Sequence, residues 1–334
     1  MRLKAGATSP TRRLAVWDSM MAGSGPLDSP PAGPVRFLLR GILSVPLVLR
    51  PRDGLPTTAT VDLAGVTPDR LAEHDLAAIE RITIAVDGQS LPLAAVFMVS
   101  GNLAPDGRID CLGDFSRVDN LGAGMGSGRI EVAGGVGHRA ATGMTGGELV
   151  VAGSAGQWLA AGISGGIVRI EGNAGDDAAA ALPGQSQGMT GGLVVIEGCV
   201  GRLAAARMRR GIVAIGGDCG VGAGLELRAG TLLVAGKLGR HAGLGMRRGS
   251  IIALGVPPSP GPTFLPGGTW SPPFLALLER RLAAARFRAA GGGARGPTVP
   301  PGRWSEERWN QWHGDTVGGA RGEFFVRAIP PPRP

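Results

Sequence analysis

Between Arg129 and Ala253 the chain alternates apolar and other residues in short bursts that recur at a fixed interval. The apolar pairs are Ile130/Val132, Leu149/Val151, Val168/Ile170, Val194/Ile196, Val213/Ile215, Leu232/Val234 and Ile251/Ala253. Alternation with branched aliphatics predicts a strand with one buried face. Five positions before each pair stands Met125, Met144, Ile163, Met189, Met208, Leu227 or Met246, which suits a third inward column. These starts are 19 residues apart, except for 26 between Ile163 and Met189, where seven extra residues fall within Asp176–Gln187.

Three glycine columns hold this register. Three residues after each start stand Gly128, Gly147, Gly166, Gly192, Gly211, Gly230 and Gly249, which read as structural glycines. Further columns lie nine residues after (Gly134 to Gly255) and twelve after (Gly137 to Gly239). Glycines at fixed offsets suit corners that need positive φ or close backbone approach. A period so short makes each repeat one turn of a stack, which buries its inner face only against its neighbours and needs capped ends. The expected fold is mainly β: a single-stranded, right-handed parallel β-helix solenoid of about seven to eight turns. A small N-terminal α+β cap and a C-terminal helix flank it.

The rest of the chain divides around this stretch. Residues 1–34 are rich in Pro, Gly and Ser without apolar periodicity and read as a disordered leader, with Met20 and Met21 inside it. Residues 35–103 read as the α+β cap. It holds one or two strands over Val35–Leu49, and a helical stretch from Thr67-Pro68-Asp69 to Arg81, divided near Asp75. Strands follow at Ile82–Val86 and Val96–Val99. Residues 104–255 are the repeat, beginning with a partial turn in which Ile109 and Cys111 face inward. A proline-rich linker, 256–273, precedes a helix over Phe274–Ala290 and a tail to 334. Phe274, Leu275, Leu278 and Leu282 form the helix's apolar stripe. Trp304, Trp309 and Trp312 suit either a docking surface or a lid on the last turn.

Composition changes the picture modestly. Glycine makes 59 of 334 residues and aromatics 4%, and no Gly-X-Y period suggests collagen. The 43% apolar content argues against wholesale disorder. Three cysteines without metal spacing fit a reduced compartment, and neither a spanning segment nor a secretory leader is visible. The expected location is cytoplasmic.

Candidate chemistry is sparse. Gly122–Gly128 leads into a strand rather than a helix, so it lacks the context of a nucleotide loop. His74, His138, His241 and His313 show no ligand spacing, and no catalytic elbow or metalloprotease motif is present, so neither catalytic nor metal residues are assigned. Cys199 and Cys219, one turn apart, read as packing partners. Charge is more informative. The chain carries +8, and Val200–Leu254 alone carries +7 while Met125–Cys199 carries −3. Arg209, Arg228 and Arg247 share one repeat position in consecutive turns; Arg210 and Arg248 share the next, and Arg207 lies beside them. Such a column either holds carboxylates or phosphates or forms a solvated edge that blocks strand addition. Nucleic acid is disfavoured because no aromatics interleave with the arginines.

The phrases Gly143-Met-Thr-Gly-Gly-Glu-Leu-Val-Val-Ala-Gly-Ser-Ala-Gly156 and Gly188-Met-Thr-Gly-Gly-Leu-Val-Val-Ile-Glu-Gly198 resemble the glycine-rich GXGXG repeat of two protein groups. One is the C-terminal domain of large glutamate synthase subunits; the other is the C subunit of formylmethanofuran dehydrogenase. Leu63–Leu71, Val96–Gly101, Arg207-Met-Arg-Arg-Gly211, Gly245-Met-Arg-Arg-Gly249 and Trp312–Glu323 resemble the second. The resemblance covers about 35 to 329 and implies a structural subunit without its own active site. It implies partner chains of formyltransferase and amidohydrolase type, with zinc in the partners, in a bacterial formyltransferase/hydrolase complex of one-carbon metabolism. That complex moves a formyl group between tetrahydromethanopterin and a methanofuran-type carrier and releases formate. The carrier's anionic polyglutamyl tail is a candidate ligand for the arginine column. The alternatives are a redox dehydrogenase with a molybdenum or tungsten pterin in a partner, or a stand-alone glutamate-synthase-type domain. An independent enzyme domain with a cleft beside the solenoid is the contrasting class. Neither nucleic acid nor membrane is an expected partner.

Overall fold

The computed structural model describes residues 46–53, 58–103, 107–255, 260–288 and 304–328. The leader 1–34 and most of the Val35–Leu49 strand region lie outside them. The first elements are β1 (Leu47–Pro51), β2 (Val61–Asp62), α1 (Pro68–Leu71), α2 (Leu76–Glu80), β3 (Thr83–Val86), β4 (Gln89–Pro92), α3 (Leu93–Val96), β5 (Phe97–Ser100), β6 (Arg108–Cys111) and β7 (Val118–Asp119). The helical stretch divides where expected, because the Asp75 carboxylate accepts from the Ala78 N–H at 2.7 Å and caps a new helix. Strands β2, β3, β4 and β7 form a small sheet of their own.

The seven repeats give β8 to β14: Arg129–Val132, Glu148–Val151, Ile167–Ile170, Leu193–Ile196, Ile212–Ile215, Thr231–Val234 and Ser250–Ala253. They pair in parallel, each with the next, in strict repeat register: Ile130 opposes Leu149, then Val168, Val194, Val213, Leu232 and Ile251. The 26-residue step enters without a slip, since Val168 opposes Val194 directly. Beyond the repeat come β15 (Leu265–Trp270), α4 (Phe274–Ala284), β16 (Trp309–Gly314) and β17 (Gly322–Arg327). The main sheet has thirteen strands, mostly parallel, and is not closed: it runs from β15 through β16, β17 and the repeats to β6, β1 and β5.

Each repeat also bonds to the next outside this sheet. A second parallel ladder of single bridges links Val136, Ala155, Ala174, Val200, Cys219 and Leu238. A third set of bonds includes Ala141 N–H to Leu121 O, Ala160 to Ala140 and Ala179 to Leu159. Side chains stitch the repeats as well. Ser154 Oγ accepts from Asn173 N–H, Asn173 Oδ1 from Cys199 N–H, Cys199 Sγ from Asp218 N–H, and Asp218 Oδ1 from Lys237 N–H at 2.6 Å.

All seven start residues and the paired strand positions are buried in one continuous core. The core also takes Ala140/Ala141, Leu159/Ala160, Ala178/Ala179 and Ala204/Ala205, which the strand periodicity does not single out. All three glycine columns are crowded, and the first adds a backbone demand. The first column needs positive φ, from 78° at Gly147 to 107° at Gly211. The other two need proximity: a Cβ on Gly153 would stand 2.5 Å from Gly135 N, and one on Gly220 2.7 Å from Gly201 backbone.

Three expectations are corrected. Strands β11 to β14 are not half-buried: Leu193, Val195, Ala214, Leu233 and Ile252 on the other face are buried under α4, Trp304, Trp309 and Phe325. The stretch 256–273 is not only linker, since it holds β15 and the buried Phe264; antiparallel pairing with β16 supplies bonds that proline-rich composition conceals. Helix α4 stops at Ala284, short of Gly291. Arg286 takes φ 57° while its N–H meets Ala283 O and Phe287 N–H meets Leu282 O, the 5→2 and 6→1 bonds of a helix-ending left-handed turn.

Candidate functional site

The arginine column begins from the backbone. Arg209 N–H donates to Met189 O, Arg228 to Met208 O and Arg247 to Leu227 O, so the three residues stack in consecutive repeats. Neighbouring strands are about 4.8 Å apart, which keeps the guanidinium stems close. Arg209, Arg210, Arg247 and Arg248 are exposed, Arg228 is half-buried, and none of the five makes an ion pair among the described residues. Arg207 differs: its Nε contacts Glu226 Oε2 at 3.0 Å and its Nη1 reaches Gln185 O in the inserted segment. A cleft of about 330 Å³ is lined by Glu226, Arg228, Gly245, Arg247, Val317 and Gly318. Two members of the column, Arg228 and Arg247, therefore line a cleft with one acid, already engaged by Arg207.

The inserted segment is tied at its start. The Asp176 carboxylate accepts from the Arg202 backbone N–H at 2.7 Å and from its guanidinium, which holds it below the usual carboxylate range against an opposing effect of burial. Beside it, burial and the Asp176 charge push Asp177 upward.

A second charged region is one that the sequence reading does not single out. On the outer face of β6 and β8 to β10, Arg108 pairs with Asp110 and Glu131, Arg129 with Glu131 and Glu148, and Arg169 with Glu171 and Glu197. All of these except Glu197 line a groove of about 530 Å³ that ends against Ala284–Arg286. The signal is present as alternate charged positions in each strand. Alternation alone does not reveal that the partners lie one repeat apart.

The closing segment is fixed by another residue that pattern reasoning misses. Asp315 is buried, and its carboxylate accepts from Gly245 N–H and Val317 N–H, both at 2.9 Å, and from Thr263. Burial alone would raise its pKa; the three hydrogen bonds outweigh that and lower it. Nearby, a cavity of about 800 Å³ is lined by Ala242, Leu244, Pro262, Phe264 and Phe324, and also by Arg240 and His241.

The remaining candidates fall apart spatially. Among the described residues no group of three metal-ligating side chains converges, and no helix is long and apolar enough to cross a membrane. His138 Nδ1 accepts from Gln157 N–H at 3.0 Å, a stitching bond rather than a site. Burial, with Cys199 nearby, pushes the Cys219 thiol up to about 12, and burial beside Asp110 raises Cys111 further. Gly122–Gly128 leads straight into β8. Trp309 is fully buried and Trp304 nearly so, which makes them core residues rather than a docking surface.

No family profile matches the chain, and no curated protein matches it. A solved structure does: the X-ray crystal structure of the formyltransferase/hydrolase complex (FhcABCD) from Methylorubrum extorquens in complex with methylofuran. One chain of that complex is 34% identical to this one, with a TM-score of 0.74. The alignment covers 84% of this chain and 100% of that one. Fold and surface thus define a repeat-built, mainly β protein whose distinctive chemistry is basic and exposed. The chain belongs to the family of that member of the formyltransferase/hydrolase complex.

Proposed function

We propose that this chain is the non-catalytic scaffold, the C subunit, of a formyltransferase/hydrolase complex in cytoplasmic one-carbon metabolism of a methylotroph. The observation that carries the proposal is the alignment of 84% of this chain with all of one chain of such a complex at 34% identity. The repeats wind as a right-handed, single-stranded β-helix of the GXGXG type; the 19-residue register and the bonds at three places in each repeat support this. Its partners are formyltransferase and amidohydrolase-like chains, which supply the zinc, the tetrahydromethanopterin site and the methanofuran-type carrier site. The arginine column (Arg209, Arg210, Arg228, Arg247, Arg248, with Arg207 beside it) meets anionic groups, either the carrier's polyglutamyl tail or an acidic partner. Arg228 and Arg247, which line the cleft and make no ion pair among the described residues, support that role.

The test is affinity purification from the native host, with co-purifying chains identified and metals assayed. Zinc with a formyltransferase and an amidohydrolase is the expected result. Molybdenum or tungsten with iron–sulfur chains would replace it with the redox dehydrogenase. A lone, monodisperse chain would overturn the scaffold reading.

A further inference from the structure

The last repeat and the closing segment carry apolar and basic groups in one strip of neighbouring residues. Leu244 is 47% exposed and Val317 84% exposed, and both lie beside basic side chains. Leu244 is a wall of the 800 Å³ apolar cavity, and the next residue, Gly245, is a wall of the arginine-lined cleft. The two depressions are therefore lined by consecutive residues, Leu244 and Gly245. Val317 forms the far wall of the cleft, on a turn pinned to Gly245 through Asp315. Pinning matters, because an apolar side chain on a fixed turn loses little further freedom when it is covered.

Among the described residues the charges of the strip are uncompensated. Arg228, Arg240 and Arg247 make no ion pair among the described residues, and the one acid in the cleft, Glu226, is engaged by Arg207. Carboxylates alone would answer the arginines but leave Leu244, Val317 and the Phe264–Phe324 cavity facing water. An apolar ligand alone would desolvate the arginines without pairing them, which is costly. An occupant that satisfies both carries carboxylates and a large apolar side chain on one backbone.

We propose that this strip docks an acidic segment of another protein chain of the complex, its large apolar side chain entering the cavity beside Leu244 and its carboxylates reaching Arg228 and Arg247. The proposal rests on the hetero-oligomeric reading above and names one occupant for the arginine column.

The experiment uses the complex purified from the native host with Leu244→p-benzoylphenylalanine in the full chain. Leu277, 67% exposed on the outer face of α4, serves as the control position for the same probe. The expected result is a cross-link from position 244, and not from 277, to a net-acidic peptide of another chain. Its yield should fall about tenfold in the Arg228→Gln/Arg247→Gln background. It should also fall at about 1 M salt, where screening is nearly complete over contact distances. If the complex co-purifies whole but position 244 links only within its own chain, to a small molecule or to a non-acidic segment, the docking proposal falls and the scaffold reading stands. The same holds for a cross-link that ignores the arginines and salt. If no other chain co-purifies, both fall.

Discussion

Asp315 and Gly245 are 70 residues apart in sequence and joined by a 2.9 Å hydrogen bond from the Gly245 N–H to the Asp315 carboxylate. The bond clamps the closing segment to the last repeat, and the same carboxylate holds Val317 N–H. Replacing Asp315 by Ala removes the acceptor of two part-buried amides, and a hydrogen bond to a charged group contributes about 1.5–3 kcal/mol. Asp315→Ala should lower the urea midpoint accordingly, with an unchanged slope. An unchanged midpoint would show that water replaces the carboxylate at no cost.

The lowered pKa values of Asp315 and Asp176 give a pH prediction. A carboxyl depressed in the folded state contributes its stability in full above the ordinary carboxylate range and loses it as pH falls through the folded value. Stability should therefore drop on acidification below the ordinary carboxylate range. The drop should be smaller in Asp315→Asn, whose starting stability is lower. Asp177, shifted upward, works in the opposite direction, because its protonation relieves a cost of folding. Chemical denaturation at stepped pH measures the slopes; equal slopes in wild type and Asp315→Asn would refute the assignment.

Backbone strain and crowding should separate in two glycines, Gly143 outside the three columns and Gly220 within the third. Gly143 has φ 64° but open space around a Cβ, so Gly143→Ala costs only the left-handed strain, about 1 kcal/mol, and Gly143→Asn less. Gly220 would place a Cβ 2.7 Å from the backbone of the preceding repeat, so Gly220→Ala should cost about 3 kcal/mol through forced displacement. Thermal unfolding of the pair decides; similar losses would mean the stack yields more easily than its geometry implies.

Two arginine classes should behave differently. Arg169 is 12% exposed and bonds Glu197, itself 14% exposed, so Arg169→Met leaves a largely buried carboxylate and should cost about 2 kcal/mol. Exchange of Arg209, Arg228 and Arg247 for Gln should leave stability within about 0.5 kcal/mol, as is usual for surface substitutions. The same exchange should weaken binding of an anionic partner or carrier, with a shallower salt dependence. Unchanged affinity would leave the column as edge protection.

Cysteine reactivity offers a cheap check of the packing. Cys199 is exposed, whereas Cys219 is buried with its thiol raised to about 12. Iodoacetamide on the folded protein should label Cys199 and spare Cys111 and Cys219 until denaturant is added. Early labelling of Cys219 would indicate that the repeats part locally.

The ladder was legible because each repeat repeats its physics. Val168 faces Val194 for the same reason that Ile130 faces Leu149, and one phrase read seven times outweighs local ambiguity. The arginine column was legible for the same reason, as equal offsets become neighbours. The division between α1 and α2 at Asp75 was local capping, also readable. The Trp309 environment was not, because its burial depends on α4 folding over β11 to β14, and nothing near residue 309 encodes that.

By itself the sequence determined the register, the inward columns and the basic half, because these follow from a period that any stacking must respect. Only the tertiary structure decided which outer faces are covered, which glycines need room rather than freedom, and where the chain ends its stack. Those depend on contacts between segments far apart, such as Asp315 on Gly245 and α4 on the late strands, where no local periodicity carries the information.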